Sequence, residues 1–388
     1  MDTSHTPVPP RCARWLLFAS ALWLGACAPK QSAPNPHTPD APATTAPAAA
    51  AFETQPLPAR VARGVCLAHN WQDQGARGYG TDAGARTMDH LKGVGVNWVS
   101  LTPFGWMRSV HDSTVKGEHQ SDMPRGGERR EALIGAIEQA RARGMKVVLK
   151  PHVWIAKGAW RGDIAPRDSA GAPDWATWWG HYTAWMVYYA KLAQQHDVEV
   201  LVLGVELVSA LKRDPDAFLK LVTTVRTHYK GKLTYSANWD EFPDERVWGA
   251  LDMVSTQLYP PLSQSLTPKR QALRRALRPH LKRWSEVAGR AGTTLWLSEV
   301  GYTSALNAVS KPFEWPERLD PSLKKPAPAL QALAYEALFA ELRTTPRVGG
   351  VFVWKYFTDA DTDEEGEMGF SPRGKPAEGV LKQAYILE

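Results

Sequence analysis

The sequence predicts an α/β protein of the (β/α)₈, or TIM barrel, class. Eight short runs rich in β-branched residues alternate with longer helix-forming stretches from Val61 to the C-terminus. Strictly alternating strands and helices imply parallel strand pairing with right-handed crossovers. Eight such units in about 330 residues fit the size of a closed barrel that carries some long loops.

A doubly wound open sheet is the main alternative fold. Such a sheet usually has a glycine-rich phosphate turn after its first strand, whereas this chain has LAHNWQDQGARGYG there, without GxGxxG. The GVGVN segment at 93–97 lies between a helix and a strand, where glycine typically ends a helix. These two observations favour the closed barrel.

In the first half of the chain, short apolar runs predict four strands and the stretches after them predict four helices. The strands are expected at 61–69, 96–104, 145–153 and 199–207. The helices are expected at 82–93, 127–144, 173–195 and 214–231. Four tryptophans of the third helix recur at helical spacing and are assigned to packing: Trp175, Trp178, Trp179 and Trp185.

The second half of the chain repeats the pattern. Strands are expected at 232–238, 251–259, 294–301 and 349–357. Helical segments are expected at 242–250, 269–292, 328–343 and 376–387. The strand LWLSEVG has the composition of a fully buried strand and yet contains Glu299 near its end. Because an unpaired buried carboxylate is costly, this glutamate is expected to have a function.

The N-terminus predicts an export signal rather than part of the fold. Arg11 and Arg14 precede an apolar stretch too short to span a bilayer. The sequence Leu24-Gly25-Ala26-Cys27 resembles a bacterial lipobox, and a simple secretory signal is the alternative. We therefore expect residues 1–26 to be a lipoprotein signal peptide and Cys27 to carry lipid. The protein would then be anchored in the cell envelope, at the outer membrane in a Gram-negative host.

The segment at 27–58 predicts a disordered tether. It contains eight prolines among alanines and threonines, with almost nothing to bury, and cannot offset the entropy lost on ordering. The barrel domain is then expected at 59–388.

Composition excludes several classes of function. After removal of the signal, Cys66 is the remaining cysteine besides Cys27, so neither an internal disulfide nor a cysteine-built metal cluster is expected. The net charge of +6 comes with basic residues spread over helices, without the aromatic-basic pattern of nucleic-acid modules. We expect no nucleic-acid partner, no metal or other cofactor, and a monomer whose partners are its substrate and, through lipid, a membrane.

Side chains capable of chemistry concentrate where the predicted strands end, which is where (β/α)₈ barrels carry their active sites. Glu206 and Glu299 end the fourth and seventh strands. Glycoside hydrolysis needs such a pair, one carboxyl protonated and one ionised, and a retaining enzyme holds them about 5–5.5 Å apart. Further strand-end candidates are His69, Asn70, Trp71, Thr102, Phe104, Trp106, His152, Trp154, Asn238, Trp239, Asp240, Gln257, Tyr259, Tyr302, Trp354 and Tyr356.

Each candidate has a structural alternative. A strand-end glutamate can simply pair with a buried cation, and Lys150 is available. Of the strand-end tryptophans, Trp71, Trp106, Trp239 and Trp354 are those expected to offer flat apolar faces to a sugar ring, and packing is the alternative.

The blocks VSLTPFGW, KPHVW, GVELVSA, QLYPPL, SEVGYTS, VWKYF and GFSPRGKPAEGVL occur in this order and resemble glycoside hydrolase family 113, the β-mannanase family of clan A. The resemblance extends from Val61 to the C-terminus. It implies Glu206 as acid/base and Glu299 as nucleophile. It also implies Tyr259 near the nucleophile, Trp354 as the floor of the minus-one subsite, and sugar contacts from His152, Asn70 and Trp106.

One position departs from the clan pattern. Most clan members have Asn before the acid/base Glu, where it holds the sugar 2-hydroxyl, whereas this chain has Val205. Asn238 or His152 is expected to supply that contact. Since mannose and glucose differ at the 2-hydroxyl, this departure bears directly on the expected preference for mannan.

Motifs for other kinds of site are incomplete or absent. DADTDEEGE at 359–367 begins like a calcium loop but has Glu364 and Phe370 where that loop needs Gly and Glu. HExxH, GxSxG and P-loop motifs are absent from the sequence.

The sequence therefore predicts a retaining glycoside hydrolase acting on β-mannan-type chains. The alternatives are a hydrolase of another β-glycan, such as an exopolysaccharide or cell-wall polymer, and a surface lipoprotein that binds glycan without cutting it.

Overall fold

The computed structural model describes residues 54–71, 76–117, 129–360 and 364–386. Its strands, named in chain order, are β1 Ala62–Ala68, β2 Trp98–Leu101, β3 Phe104–Met107, β4 Lys146–Leu149, β5 His152–Ile155, β6 Val200–Val205, β7 Lys232–Asn238, β8 Val254–Gln257, β9 Leu295–Val300 and β10 Val348–Phe357. Eight of them close a parallel barrel in the order β1-β10-β9-β8-β7-β6-β4-β2. The predicted (β/α)₈ barrel is confirmed.

The helices of the described part surround this barrel. They are α1 Asp82–Val94, α2 Arg130–Ala142, α3 Trp175–Gln195, α4 Val208–Arg213, α5 Pro215–Arg226, α6 Glu245–Gly249, α7 Arg270–Arg290, α8 Pro328–Leu342 and α9 Pro376–Tyr385. Gly95 ends α1 in the left-handed region, with φ of 94°, and its N–H bonds the last carbonyls of the helix. The prediction that GVGVN ends a helix is thus confirmed.

The second and third predicted strands are each interrupted by a proline. Pro103 separates β2 from β3, and Pro151 separates β4 from β5. Proline has no N–H for the ladder, so the barrel strand stops there. The chain then resumes as a second parallel pair, β3 with β5, in which Trp106 is the register partner of Trp154. This β3–β5 ribbon stands at the carboxyl end of the barrel and was not predicted.

Large side chains fill the barrel interior below the mouth. Trp296 and Phe352 stack there with ring centroids 5.5 Å apart. A Cβ on Gly64 would lie 2.3 Å from the ring of Phe352, and one on Gly350 would lie 2.8 Å from Trp296. Glycine at these two strand positions therefore lets the aromatic rings pack in the interior.

The outer core lies between strands and helices. Trp178, Trp179 and Trp185 of α3 are buried there, as their helical spacing predicted. Leu57 is buried as well, and its N–H bonds the carbonyl of Ala384 at 2.8 Å. The folded domain thus includes Leu57, two residues before the predicted start at 59.

The predicted signal peptide at 1–26, the lipid site Cys27 and most of the predicted tether at 27–58 lie outside the described residues. Within the described part, no helix is long and apolar enough to cross a membrane.

Candidate active site

A cavity of about 840 Å³ opens at the carboxyl ends of the barrel strands. Most of the predicted strand-end residues line it, including both candidate glutamates. Its walls are His69, Trp71, Thr102, Phe104, Trp106, His152, Trp154, Trp160, Arg161, Glu206, Asn238, Trp239, Asp240, Gln257, Tyr259, Glu299, Phe313, Trp315, Arg318, Trp354, Lys355 and further residues of the same loops. The topology therefore gathers side chains that are far apart in sequence into one site.

Glu299 lies near the end of β9 and is almost completely buried. The ammonium of Lys150 is 2.5 Å from its Oε1, and Nε2 of His152 is 3.3 Å from the same oxygen. The hydroxyl of Tyr259 donates to the other oxygen at 3.2 Å. Lys150 also donates to the carbonyl of Ser298 at 3.0 Å, which fixes the ammonium between the strand and the carboxylate.

These contacts determine the ionisation of Glu299. Burial alone would raise the pKa of this carboxyl, but the ammonium of Lys150 and the imidazole of His152 lower it to about 2. Glu299 is therefore ionised at neutral pH although little water reaches it. The pairing with Lys150 that the sequence offered as a structural alternative is present, and it is what keeps this carboxylate charged.

Glu206 directly follows β6 and has a φ of 50°, in the left-handed region that a non-glycine residue rarely adopts. Its N–H bonds the carbonyl of Ser236 at 2.9 Å, and the next amide, of Leu207, bonds the hydroxyl of Tyr235 at 2.7 Å. Tyr235 in turn donates to the buried carboxyl group of Glu241. Two bonds to β7 thus hold this unusual backbone conformation, which is a frequent feature of functional sites.

The surroundings of Glu206 favour the protonated form. Burial raises its pKa, and so does the charge of Glu299, while Arg161 acts in the opposite direction. The indole N–H of Trp160 donates to its Oε2 at 3.3 Å, and Nε of Arg161 is 4.0 Å from the same oxygen. The pKa values of Glu206 and Glu299 are thus shifted in opposite directions, although both residues line one cavity.

Arg161 and His152 connect the two carboxyl groups. Burial lowers the pKa of His152 to about 3, so its ring is neutral. Arg161 lies 2.9 Å from Nδ1 of that ring, and a guanidinium only donates, so Nδ1 accepts and the ring proton is on Nε2. Nε2 is the nitrogen next to Glu299. The tautomer set by Arg161 therefore turns a donor towards the ionised carboxylate.

The structure brings most of the predicted sugar-binding residues to the cavity. Trp71, Trp106, His152, Asn238, Trp239, Tyr259 and Trp354 line it together with the two glutamates. Trp354 stacks on the ring of His152, with centroids 5.9 Å apart and planes 8° apart. The peptide bond between Trp354 and Lys355 is cis.

Asn70 is the exception among the predicted sugar contacts. It is fully buried and is not among the residues that line the cavity. Its backbone N–H bonds the hydroxyl of Thr358 at 3.0 Å, which ties the end of β1 to the segment after β10. Its predicted contact with a sugar stays a prediction.

Two further strand-end candidates also point away from the cavity. Tyr302 packs edge-on against Tyr335 of α8, with centroids 5.2 Å apart. Tyr356 bonds the carboxyl group of Glu378 in α9 at 3.0 Å. In β10 the register with β1 skips Lys355, so the alternation of faces shifts at this point and Lys355 reaches the cavity wall instead.

Trp160 and Arg161 were not predicted from the sequence. They follow β5 in a loop that contains Lys157 and Gly158, both at positive φ. The length of the segment after a barrel strand was a usable signal, because such loops carry function in this fold. The sequence alone did not indicate which side chains of the loop reach Glu206.

A family model for glycoside hydrolase family 113 matches residues 69–375, which is most of the chain. The chain belongs to glycoside hydrolase family 113. This family 113 enzyme is accordingly a glycoside hydrolase. No curated protein matches its sequence.

Solved structures agree with the family assignment. The family 113 β-mannanase AaManA from Alicyclobacillus acidocaldarius, in complex with ManMIm, is 26% identical to this enzyme, with a TM-score of 0.69 over 86% of this chain and 98% of that chain. A complex of a family 113 β-1,4-mannanase is 25% identical, with a TM-score of 0.69 over 82% and 97% of the two chains. A β-glucuronidase from Faecalibacterium prausnitzii, 15% identical with a TM-score of 0.54 over 83% and 48%, shares the fold alone.

The described part of the family 113 enzyme contains no group of three or more His, Cys, Asp or Glu side chains arranged to hold a metal ion. The acidic segment at 359–367 lies partly outside the described residues. Within it, Glu365 places Oε1 2.6 Å from the ammonium of Lys355, and Glu364 accepts from the backbone N–H of Trp71.

Proposed function

We propose that this protein is a retaining β-mannanase that works through Glu206 and Glu299. The observation that carries the proposal is that two carboxyl groups in one cavity have pKa values shifted in opposite directions. Lys150 lowers the pKa of Glu299, whereas burial raises the pKa of Glu206. A retaining glycosidase needs one ionised nucleophile and one proton donor.

In the first step, a lone pair of the Glu299 carboxylate forms a bond to the anomeric carbon of the substrate. The bond from that carbon to the departing sugar oxygen breaks, and this oxygen takes the proton of Glu206. The guanidinium of Arg161, 4.0 Å from Oε2 of Glu206, stabilises the carboxylate that remains. The product of this step is a glycosyl ester of Glu299.

In the second step, ionised Glu206 accepts a proton from water. The water oxygen bonds to the anomeric carbon, and the ester bond to Glu299 breaks. The departing carboxylate regains its ion pair with Lys150 and the hydrogen bond from Tyr259. Two inversions at the same carbon retain the configuration.

The preference for mannan rests on the family and on its solved members, which are described as β-mannanases. Val205 replaces the Asn that holds the 2-hydroxyl in most of the clan. His152 is well placed to take over this contact, because it is beside Glu299 and stacks on Trp354. Asn238 also lines the cavity, with its side-chain amide bonded to Asp240 at 2.7 Å.

The substrate is tested by product analysis with β-1,4-linked manno-oligosaccharides of two to six sugars, with cello- and xylo-oligosaccharides of equal length as matched controls. We expect cleavage of the manno series and at least about tenfold lower kcat/KM on the controls, because a polar site that loses one sugar hydroxyl contact discriminates strongly. Cleavage confined to another glycan would overturn the mannan assignment. Binding without any cleavage would instead support a glycan-binding protein.

A further inference from the structure

Glu241 has a buried carboxyl group to which the mechanism assigns no role. It follows the end of β7 by three residues and is 8% exposed. Asn238, Trp239 and Asp240, which precede it, line the cavity, whereas Glu241 is not among the described residues that do. Burial raises the pKa of its carboxyl group to about 8, so the uncharged form predominates at neutral pH. A buried carboxyl group still needs hydrogen-bond partners, and these partners indicate its role.

Two donors from β7 reach this carboxyl group. The hydroxyl of Tyr235 donates to it, with distances of 2.8 and 2.9 Å to its two oxygens. The backbone N–H of Asn238 donates to Oε2 at 3.0 Å, and the N–H of Glu241 donates to the carbonyl of Asn238 at 3.0 Å. Glu241 therefore closes the turn that forms this part of the cavity wall, and it also holds the hydroxyl of Tyr235.

The hydroxyl of Tyr235 connects Glu241 to the chain beside Glu206. Its oxygen accepts the N–H of Leu207 at 2.7 Å. Leu207 is buried, so without this acceptor its N–H would be an unpaired buried donor. Glu206 has a φ of 50°, a left-handed conformation that persists only where surrounding contacts impose it. The connection ends at the peptide group after Glu206, and the orientation of that group defines ψ of Glu206.

The ring of Tyr235 has little freedom to move. Phe218 and Trp248 pack against it, with ring centroids 5.5 and 6.1 Å away. On the side of β6, a Cβ on Gly204 would lie 3.2 Å from the Tyr235 ring, so the strand and the ring approach closely there. Packing therefore fixes the ring, and its hydroxyl has a fixed place between Leu207 and Glu241.

We propose that Glu241 is a positioning residue for Glu206, and that it acts through Tyr235 and the amide of Leu207. It keeps the acid/base carboxyl group aimed at the glycosidic oxygen and does not itself contact the substrate. This inference rests on the proposed glycosidase function and adds the contacts that hold the proton donor in place. Loss of these contacts should impair proton donation rather than sugar binding or the attack by Glu299.

The test compares kcat/KM on a manno-oligosaccharide with kcat/KM on 2,4-dinitrophenyl β-mannoside, since both values report the first step. The glycosidic oxygen of the oligosaccharide has to be protonated as it departs, whereas dinitrophenolate departs with little protonation. In Glu241→Ala and Tyr235→Phe, kcat/KM on the oligosaccharide should fall by roughly 10–100-fold, because a catalytic group displaced by ~1 Å can lose about that much. This fall should lie in kcat, with KM little changed. On the dinitrophenyl substrate, kcat/KM should stay within about twofold of the wild-type value, because the nucleophile is intact.

Two variants are the controls. Glu241→Gln should keep most of the wild-type rate on both substrates, because its amide oxygen can accept from Tyr235 and Asn238 as Oε2 of the uncharged acid does. Tyr229→Phe is the matched tyrosine control, since the buried hydroxyl of Tyr229 bonds the carbonyl of Val198 at 2.6 Å, before the start of β6. It should leave the ratio of the two kcat/KM values unchanged.

Tyr235→Phe removes a single oxygen atom, so it tests the positioning role even if Glu241→Ala does not fold. Equal losses on the two substrates, or no loss in either variant, would overturn the positioning role while the proposed function stands. If the wild-type protein cleaves neither substrate, the proposed function itself fails and the positioning role with it.

Discussion

Glu206→Gln is expected to lower kcat on manno-oligosaccharides by ~10²–10⁴. Glutamine has nearly the shape of protonated glutamic acid but does not release a proton to the leaving oxygen. Because burial at this position raises the pKa of Glu206 and so disfavours a charge, the fold should tolerate the neutral amide. The measurement is steady-state hydrolysis together with the Tm of the variant. Glu378→Gln, a carboxyl group in α9 on the outside of the barrel, is the matched control and should keep wild-type kcat.

The leaving group separates the roles of the two glutamates. In a 2,4-dinitrophenyl β-mannoside, the leaving group is a stabilised phenolate. This leaving group needs little protonation to depart. On this substrate Glu206→Gln should recover most of its lost rate in the glycosylation step, whereas Glu299→Gln should stay inactive because it has no nucleophile. Equal defects of both variants on both substrates would contradict the assignment of Glu206 as acid and Glu299 as nucleophile.

Lys150→Met is expected to have the second-largest effect, on stability and on pH dependence together. Lys150 is fully buried, with its ammonium 2.5 Å from Glu299. Removing one partner of a buried ion pair typically costs about 3–5 kcal/mol of unfolding free energy. Loss of the ammonium also removes the main interaction that lowers the pKa of Glu299.

The direction of the pH effect follows from these values. The pKa of Glu299 is about 2 in the folded protein, below the ~4.3 of an unfolded glutamate. The ion pair therefore stabilises the folded state above pH ~4.3, and this stabilisation is lost as pH falls towards 2. In Lys150→Met the stability at pH 7 should drop, and the acid limb of kcat/KM should move to higher pH.

Thermal denaturation at pH 7 and a pH–rate profile measure both effects. Lys355→Met is the matched control, because Lys355 is a buried cation in the same cavity wall but pairs with Glu365. It should lose stability without moving the acid limb. If the acid limb of the pH–rate profile of Lys150→Met lies at the same pH as in the wild-type protein, Lys150 does not set the ionisation of Glu299.

The sequence was informative about the barrel and the strand-end residues for one physical reason. In a parallel barrel, all carboxyl ends of the strands meet at one mouth, so position along each strand predicts position in space. That argument alone predicted that Glu206 and Glu299 line the same cavity. The same argument failed for Tyr356, since the shift of register at Lys355 reverses the face to which β10 side chains point.

Other features depend on three-dimensional contacts that a linear pattern does not contain. The prolines at 103 and 151 were readable as strand breaks, yet the pairing of the segments after them into the β3–β5 ribbon was not. Arg161 sets the tautomer of His152 by bonding its Nδ1. The position of Arg161 depends on a loop conformation with positive φ at Lys157. The low pKa of Glu299 likewise depends on its contact with the ammonium of Lys150, which lowers this pKa more than any other group does.

The central claim is that Glu299 forms a covalent bond to the sugar, and trapping tests it most directly. In a 2-deoxy-2-fluoro-β-mannosyl fluoride, the fluorine at carbon 2 destabilises the oxocarbenium-like transition states of both steps. The anomeric fluoride is a good leaving group and keeps the first step fast. The glycosyl-enzyme intermediate therefore accumulates. Mass spectrometry of the digested wild-type protein should find one fluorosugar on the peptide that contains Glu299, with none bound in Glu299→Gln. A sugar attached to Glu206, or an unlabelled protein that releases product of inverted configuration, would contradict the account.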